Sequence, residues 1–511
     1  MRTQADVNGK RRCGGPAMAA LGGLLLAMPA QAQQYWIRLE SQVQTVAFRG
    51  VQPDSVLATD VVIGANGGRF TRGGFAVRCV SGQTYCSFFR PGQRRSGGPL
   101  MTTADFSVWG LGVEGLRFKG RSRLGVDLGD SDVWPGTDPA VQLIEGYLEY
   151  AKPRVTVQAG RTHVMSRFGY TGFDGAKGTA RFLRGAVTTT LYGGWGLAYG
   201  VALPVSSPAL NPLDEFQPRR RQLVAGGDAA WVLPWMRGRV LYERQVDPQS
   251  DAFVSERAGI DMVVRPPHGL TLSGGADYDL TSGWWGSAEA TVGWSPVQAP
   301  ASGRVGARRY RPHFELWTIW GAFNPVPYRA LFGSVSVVPW QPIQLRARAE
   351  TYAFDETETD IALVDVERTG WRVGLGTTFR RNRALGASVD YHIELGPGAS
   401  SLGFDGRVTW SPIDDLDLTG SVANLKRALE FRFNDADVWQ YGAAVEYSAT
   451  ERLRLYGGAF YYDERRDRGD AASFAWNQVR AHAGLRVVLG SPADQGSIHP
   501  AILRVPEGGG R

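Results

Sequence analysis

The feature that most constrains this chain is a strict alternation of apolar and charged residues along segments of about ten residues. In 343–352 (IQLRARAETY), the odd positions from 343 to 349 hold Ile, Leu, Ala and Ala, and the even positions hold Gln, Arg, Arg, Glu and Tyr. Successive side chains of a β-strand point to opposite faces, so this segment forms a strand with one apolar and one charged face. Comparable segments recur from about residue 220 to residue 490. Many two-faced strands are typical of a closed barrel with lipid outside and water inside.

Tight polar turns alternate with longer connections along the chain. The short turns contain Pro, Gly, Asn, Asp or Ser, as at 411–414 (SPID), and we place another at 119–121 (KGR). The connections between them are longer, and include 50–104 and 164–177. The pattern predicts an all-β fold: a single large transmembrane antiparallel β-barrel with short periplasmic turns and longer extracellular loops. We expect about 22 strands, within a range of about 18 to 24, with both termini in the periplasm.

The first 32 residues have the features of a secretory signal peptide. A basic group at 10–12 (KRR) precedes an apolar stretch at 17–28, and 30–32 (AQA) is a small-residue cleavage site. The apolar stretch is too short to span a bilayer. We therefore expect a signal peptide at 1–32, a barrel at 33–490 and a C-terminal periplasmic tail at 491–511.

Charge and cysteine content narrow the possibilities further. The chain has a net charge of +7, of which +3 lies in residues 1–32, so the predicted mature chain is only mildly basic. This balance does not indicate a nucleic-acid partner. Cys79 and Cys86 are the two cysteines of the predicted mature chain. In an oxidising compartment their spacing predicts a disulfide, because a metal site would require further ligands nearby.

The last strand carries a resemblance to a known class of proteins. Residues 482–489 (HAGLRVVL) place a polar residue at His482, a glycine at Gly484 and apolar residues at Val487 and Leu489. This order resembles the C-terminal insertion signal of Gram-negative outer-membrane β-barrel proteins, which usually ends at an aromatic residue. The resemblance implies a porin-like protein of the outer membrane. It also implies the lipid bilayer, small solutes and the barrel-assembly machinery as partners.

A second resemblance concerns an irregular, glycine-rich stretch. Gly160 and Arg161 are followed by 167–175 (RFGYTGFDG), which ends in an Asp-Gly pair. This arrangement is similar to the Gly-Arg and Asp-Gly stretch of alginate-export barrels and related porins.

Charged and aromatic residues on the polar faces of the predicted strands are candidates to line the lumen. They are Glu145, Tyr147, Glu149, Arg346, Arg348, Glu350, Arg372, Arg454, Arg480 and His482. Rings of arginine in a pore attract anions. The alternative is that a wide barrel fills its inner face with mixed charges that pair across strands and are solvated.

Nothing in the sequence indicates catalysis, a metal site or a cofactor. The histidines lack the spacing of metal ligands, and no Gly-x-Ser-x-Gly turn precedes a helix. Glu145 and Glu149 would lie roughly 13 Å apart along one strand, which is too far for a glycosidase pair. We expect a protein that is not an enzyme.

The sequence leaves several functions open. The first is a porin-like channel for passive passage of small polar or anionic solutes, which an inward fold of 50–104 would narrow. A second is an export or assembly component, for example for an exopolysaccharide, with a periplasmic partner. An outer-membrane hydrolase is a third. A soluble β-propeller would require a recurrent motif about every 40–50 residues, and the sequence shows none.

Overall fold

The fold was determined from a computed structural model of the chain. The structure describes residues 34–64, 67–129, 141–197, 222–248, 252–297, 299–311, 327–355, 369–382, 384–396, 399–426, 436–466 and 476–490. The predicted signal peptide and the predicted tail at 491–511 lie outside the described residues.

Twenty-seven strands occur among the described residues. The first fourteen are β1 (Gln34–Gln44), β2 (Val46–Leu57), β3 (Val62–Ile63), β4 (Arg69–Phe70), β5 (Val77–Arg78), β6 (Tyr85–Gly97), β7 (Pro99–Trp109), β8 (Leu116–Asp127), β9 (Val141–Ala151), β10 (Val155–Ser166), β11 (Gly169–Phe182), β12 (Val187–Gly196), β13 (Leu223–Val232) and β14 (Met236–Asp247). The others are β15 (Ala252–Val264), β16 (Leu270–Asp279), β17 (Trp284–Trp294), β18 (Ala301–Tyr310), β19 (Tyr328–Trp340), β20 (Ile343–Phe354), β21 (Thr369–Arg380), β22 (Leu385–Gly396), β23 (Ala399–Ile413), β24 (Leu416–Lys426), β25 (Ala436–Thr450), β26 (Leu453–Arg466) and β27 (Trp476–Gly490). Short 3-10 turns occupy Ala58–Asp60 and Leu183–Gly185.

One antiparallel sheet of 22 strands closes on itself to form a barrel. It contains β1 and β7 to β27. Each of these strands pairs with the barrel strands that precede and follow it in the chain, and β1 is followed by β7. Closure occurs at a seam where β1 pairs with β27, from Trp36 opposite Gly490 to Gln44 opposite His482. The predicted fold class and the predicted strand number are therefore confirmed.

The two rims of the barrel differ in the length of their connections. On the rim that holds both ends of the barrel chain, each connection has at most six residues, as at 152–154 and 451–452. The opposite rim has longer connections, such as 311–327 and 355–368, although the β10–β11 and β22–β23 connections have only two residues. We call these the short-turn rim and the long-loop rim. They match the predicted periplasmic and extracellular ends.

Some predicted boundaries are wrong. Residues 119–121 lie inside β8, and the turn before β8 is the glycine-rich segment 110–115. Residues 169–177 belong to β11, so the predicted loop at 164–177 is mainly a hairpin with a turn at 167–168. In both cases, glycine within a strand resembles a loop in the sequence, because glycine also marks bends and close backbone approaches.

The described residues of 46–97 form a β-ribbon, which we call the ribbon. β2 pairs with β6, and this ladder continues the pairing of β1 with β7 apart from one shift of register near Arg49. The expected loop at 50–104 therefore consists of strands over much of its length, and β7 already begins at Pro99. The predicted disulfide is confirmed, because Cys79 and Cys86 are bonded near the start of β6.

The barrel wall has an apolar face that is exposed. Leu331 is 62% exposed, Leu375 57% and Val389 49%, although all three are large apolar residues in the middle of strands. Leu375 lies between two glycines, and Val389 lies between Ser388 and Asp390. An apolar band on strands of ten or more residues suits the hydrocarbon layer of a bilayer.

Within the described part of the chain, no helix is long and apolar enough to cross a membrane.

The position of the disulfide leads to a first prediction. Replacing both Cys79 and Cys86 with serine loosens the ribbon and leaves the barrel intact, because neither cysteine belongs to a barrel strand. The barrel of the variant is expected to keep its faster migration on unheated detergent gels. The ribbon is expected to be cut by trypsin more rapidly, at exposed Arg78 among other sites. Loss of the unheated fast band would contradict this prediction.

Candidate functional site: the charged inner wall

The β10–β11 turn identifies the inner face of the barrel. Its Arg167 donates a hydrogen bond from Nε to Asp261 Oδ1 on β15 at 2.8 Å, and from Nη1 to Ser287 Oγ on β17 at 2.9 Å. Three barrel strands separate β11 from β15 around the wall, so the turn reaches β15 only across the interior. Asp261 alternates along β15 with Ile260 and Met262, which are 43% and 44% exposed on the other face. The polar face is therefore the inner one.

A ladder of ion pairs crosses β18 to β22 on this face. Arg308 Nη2 lies 2.6 Å from Glu350 Oε1, and Arg372 Nη1 lies 3.6 Å from the same oxygen. Arg372 Nε also lies 2.7 Å from Glu394 Oε1. The structure thus brings together two of the predicted residues, Glu350 and Arg372. Their partners Arg308 and Glu394 were not predicted, since the strand register decides which charges meet.

Glycines let side chains reach across a neighbouring strand. Tyr352 on β20 donates a hydrogen bond to Glu394 on β22 at 3.0 Å, and its ring crosses Gly370 on β21. A Cβ at Gly370 would lie 2.3 Å from Tyr352 Cζ. A glycine on β21 likewise leaves room for Arg346 on β20 to pair with Asp390 on β22 at 3.1 Å. Cross-strand contacts of this kind stabilise sheets whose glycines leave a gap.

The seam between the first and last strands has its own polar cluster. Glu40 on β1 accepts hydrogen bonds from Arg486 Nε at 3.1 Å and from Arg38 Nη2 at 2.7 Å. Tyr456 on β26 reaches Glu40 at 3.4 Å by passing over Gly484 of β27. The insertion-signal residue Gly484 thus has a packing role, because a Cβ there would lie 2.5 Å from Tyr456 Cζ.

A second cluster surrounds Glu149 on β9. Glu149 Oε1 lies 3.2 Å from Lys119 Nζ and 3.3 Å from Arg117 Nε, and Gln158 donates a hydrogen bond to Glu149 Oε2 at 2.7 Å. Glu149 and Lys119 are both buried. A buried carboxylate with several donors is a stable arrangement, whereas an unpaired one would be costly.

Glu145 lies near the same cluster. Its Oε1 is 2.8 Å from His163 Nδ1 on β10, and the His163 ring stacks on Tyr170 with centroids 5.0 Å apart. Lys177 Nζ donates a hydrogen bond to the carbonyl oxygen of His163 at 3.0 Å. Each of the two glutamates predicted on this strand face therefore has its own set of basic partners.

The Gly-Arg and Asp-Gly stretch has a clear structural meaning. Gly160 lies opposite Gly175, and Arg161 lies opposite Asp174, in the ladder between β10 and β11. Arg161 holds Asp174 with two hydrogen bonds, at 2.7 and 3.0 Å. Gly160 has φ +131°, and a Cβ there would lie 2.4 Å from the carbonyl oxygen of Gly146. The stretch is thus a bend in the hairpin that no larger residue would allow.

Beyond this bend, the hairpin leaves the wall. β10 pairs with β9 only up to Arg161, and β11 begins to pair with β12 at Phe173. We call residues 162–172 the inner tip. At its base, Phe173 is fully buried and its ring stacks on Tyr192 of β12 with centroids 5.5 Å apart.

A buried glutamate on β14 holds the inner tip against the wall. Glu243 is 1% exposed, and its Oε2 accepts hydrogen bonds from Thr171 of the tip and from Tyr192, both at 2.9 Å. Gln245 donates to Glu243 Oε1 at 3.0 Å, and Arg257 Nη2 lies 3.6 Å from that oxygen. The charge is therefore compensated by four neighbours.

The end of the tip is fixed farther across the interior. Besides its hydrogen bond to Asp261, Arg167 lies 3.8 Å from Asp277 of β16. The Arg257 guanidinium lies 4.7 Å above the Phe168 ring, a cation–π contact. Arg167 and Glu243 were not predicted: Arg167 fell in an expected loop, and the sequence gives no sign that this hairpin folds inward.

A cavity of 630 Å³ opens on the inner wall near the short-turn rim, in the sector from β21 to β27. Its lining includes Arg380, Thr409, Asp417, Glu446, Tyr456 and His482. The lining is mainly polar and contains both signs of charge. The inner tip lies in a different sector, where it covers β12 to β17.

The remaining predicted residues lie on the same strands as expected but do not form one cluster. Arg454 lies 2.6 Å from Glu446, Arg480 lies 4.8 Å from the centroid of the Tyr462 ring, and Arg348 passes over Gly374. His482 stacks on Phe460 with centroids 5.8 Å apart. The insertion-signal residues Val487 and Leu489 pair with Leu39 and Ile37 at the seam, and Tyr147 lies between Glu145 and Glu149 on β9.

Among the residues that the structure describes, no group of three or more His, Cys, Asp or Glu side chains could hold a metal ion.

Comparison with known proteins gives matches of structure only. No protein-family description matches the chain, and no curated protein matches it by sequence. A substituted ferric enterobactin receptor from Pseudomonas aeruginosa, in complex with enterobactin, matches with a TM-score of 0.53 at 10% identity, over 89% of this chain and 81% of the receptor. The siderophore receptor PirA from the same species matches with a TM-score of 0.45 at 11% identity, over 89% and 80% of the two chains. A BenF-like porin from Pseudomonas fluorescens Pf-5 matches with a TM-score of 0.38 at 10% identity, over 90% and 99%.

At such low identity, the likeness to the enterobactin receptor concerns the fold alone. Together with the closed sheet and its exposed apolar face, it confirms the predicted class: the chain has the fold of outer-membrane β-barrel proteins.

The glycine crossings lead to a second prediction. Replacing Gly370 with alanine forces the Tyr352 ring aside and breaks its hydrogen bond to Glu394. Overpacking of this kind costs about 1–3 kcal/mol. Gly420→Ala is the matched control, because a Cβ at Gly420 on β24 has nothing within 4 Å. Denaturant unfolding in lipid vesicles measures both variants, and equal stabilities would contradict the prediction.

Proposed function

We propose that this protein is an outer-membrane channel for the passive passage of small polar solutes, with a preference for anions. It lies in the lipid bilayer of the outer membrane, is inserted there by the barrel-assembly machinery, and carries out no bond-making chemistry. The residues predicted to line the lumen belong to its inner wall. The fold supports the class of protein, and the geometry of the inner wall supports the finer function.

The inner tip is the observation that carries this proposal. A barrel of 22 strands is wider than the water-filled porins of 16–18 strands, so a selective channel of this width requires an obstruction. The inner tip supplies one, since Arg167 fixes it to β15 and β17 and Thr171 fixes it to Glu243. Solutes would pass between the tip and the charged wall of β18 to β27.

Two arginines on that wall support a preference for anions. Arg348 lies over Gly374, and Arg480 lies over the Tyr462 ring. Among the described residues, neither has a carboxylate within ion-pairing distance, in contrast to Arg372 and Arg454 of the same sector. Such arginines keep their charge available to a passing anion.

Single-channel recording in planar bilayers tests the proposal. The purified protein is expected to give discrete conductance steps and a reversal potential that shows a preference for chloride over potassium. If the inserted protein gives no steps, the channel proposal is wrong, and an export or assembly role is the better hypothesis.

The selectivity of the wall leads to a third prediction. Arg348→Glu reverses a charge on the inner wall, and is expected to move the reversal potential toward cation preference by several millivolts or more. Arg72→Glu changes the net charge equally, but lies on the ribbon, where the arginine side chain is 80% exposed. An equal shift for both variants would show that Arg348 does not face the solute path.

The inner tip leads to a fourth prediction. Arg167→Gln removes the ion pairs to Asp261 and Asp277, and loss of such a partly buried partner costs about 1–3 kcal/mol. The tip is then expected to leave its closed position part of the time, which raises the mean conductance and the current noise. Arg72→Gln, which removes an ion pair to Asp60 on the ribbon, is the control. Unchanged current in Arg167→Gln would contradict the role of the tip.

A further inference from the structure

The positive charge of this protein is concentrated in the ribbon. Residues 46–97 contain seven arginines and two aspartates, a net charge of +5. The predicted signal peptide holds +3 of the total of +7, which leaves −1 for the rest of the chain. The barrel itself is therefore nearly neutral, and the basic character of the protein is a property of one projecting element.

The ribbon arginines are accessible. Those with described side chains are all exposed, namely Arg69, Arg72, Arg78, Arg90, Arg94 and Arg95. The ion pairs of Arg72 with Asp60, at 3.1 Å, and of Arg90 with Asp54, at 2.8 Å, are solvent-exposed. Exposed pairs of this kind contribute little stability, so they do not explain why so many arginines lie here.

Exposed rings and apolar side chains lie among these arginines. Ile63 is 71% exposed, Tyr85 56% and Phe89 48%. The charges occupy both faces of the ribbon, because Arg94 and Arg95 are adjacent in β6 and point to opposite sides. A surface that binds a membrane instead separates an apolar face from a basic face.

The base of the ribbon is attached to the long-loop rim. Arg94 Nη2 donates a hydrogen bond to the carbonyl oxygen of Asn477 at 2.9 Å, and its guanidinium lies 4.9 Å from the centroid of the Trp476 ring. Both residues are at the start of β27. Beyond this contact, β2 continues for eight residues, from Gly50 to Leu57, or roughly 26 Å along the strand if straight.

We propose that the ribbon binds an acidic polysaccharide at the outer mouth of the barrel. Guanidinium groups bind carboxylates and other oxyanions through paired hydrogen bonds, and exposed aromatic faces offer a surface on which sugar rings pack. A flexible polyanion can contact arginines on both faces of a narrow ribbon, which a flat lipid surface cannot do. This binding is separate from the channel function, because the ribbon is not part of the inner wall.

The test uses the full-length protein in detergent and polygalacturonate as the acidic polysaccharide, with neutral dextran as the uncharged probe. The wild type is expected to bind polygalacturonate and not dextran, with an affinity that falls as salt is raised. The ribbon variant carries Arg69→Gln, Arg72→Gln, Arg78→Gln and Arg95→Gln, and is expected to bind about tenfold or more weakly. The variant should keep the heat-dependent gel shift, which shows that the barrel is folded.

A control variant separates the position of the charges from their number. Arg154, Arg265, Arg381 and Arg452 are exposed on the short-turn rim, and their replacement by glutamine removes the same charge. This variant is expected to bind polygalacturonate like the wild type. Equal losses in both variants would overturn the proposal. So would a wild type that binds lipopolysaccharide vesicles through the ribbon but not polygalacturonate.

Channel recordings distinguish this proposal from the previous one. The ribbon variant is expected to keep the conductance steps of the wild type while losing the polysaccharide. A protein that binds polygalacturonate through the ribbon but gives no conductance would refute only the channel.

Discussion

The pairing of backbone groups between the first and last strands is the constraint on which the rest of the structure depends. Hydrocarbon offers no hydrogen-bond partners, so an open sheet edge in a bilayer would leave a row of costly unpaired N–H and C=O groups. The pairing of β1 with β27 removes that edge. Closure then divides every strand into an outer apolar face and an inner polar face, and the inner charges have to find partners across a curved wall.

Glycines in the wall leave room for the polar side chains of the inner face to reach such partners. Side chains on the inner wall often pair with a strand two positions away, as Tyr352 does with Glu394 and Tyr456 with Glu40. The strand between them then carries a glycine. Some of the many glycines of this chain therefore provide the space that its long arginine and tyrosine side chains occupy. A gap on one strand is filled by a long side chain from the next.

The sequence predicts the architecture much better than the site. Alternation over 343–352 and the short turns were sufficient for the barrel, its strand number and its two rims, because a strand period of two is a local property. The partners of Glu350 and Arg372 depend on register between distant strands, which a single sequence does not show. The inner tip was missed for another reason: the glycines of its hairpin resemble a loop in the sequence, whereas in the structure Gly160 and Gly175 face each other at a bend below the tip.

That bend also has a consequence for the continuity of the wall. On the β9 side of the gap, side chains make the contacts: Arg161 donates to the carbonyl oxygen of Leu143 at 2.8 Å, and His163 meets Glu145. On the β12 side, one backbone bond remains, from the Leu197 N–H to the Gly172 carbonyl oxygen at 2.8 Å. Ladder bonds elsewhere act in cooperative rows, whereas these contacts act singly. On its long-loop half, β9 is therefore held to the hairpin by single side-chain contacts in place of a continuous backbone ladder.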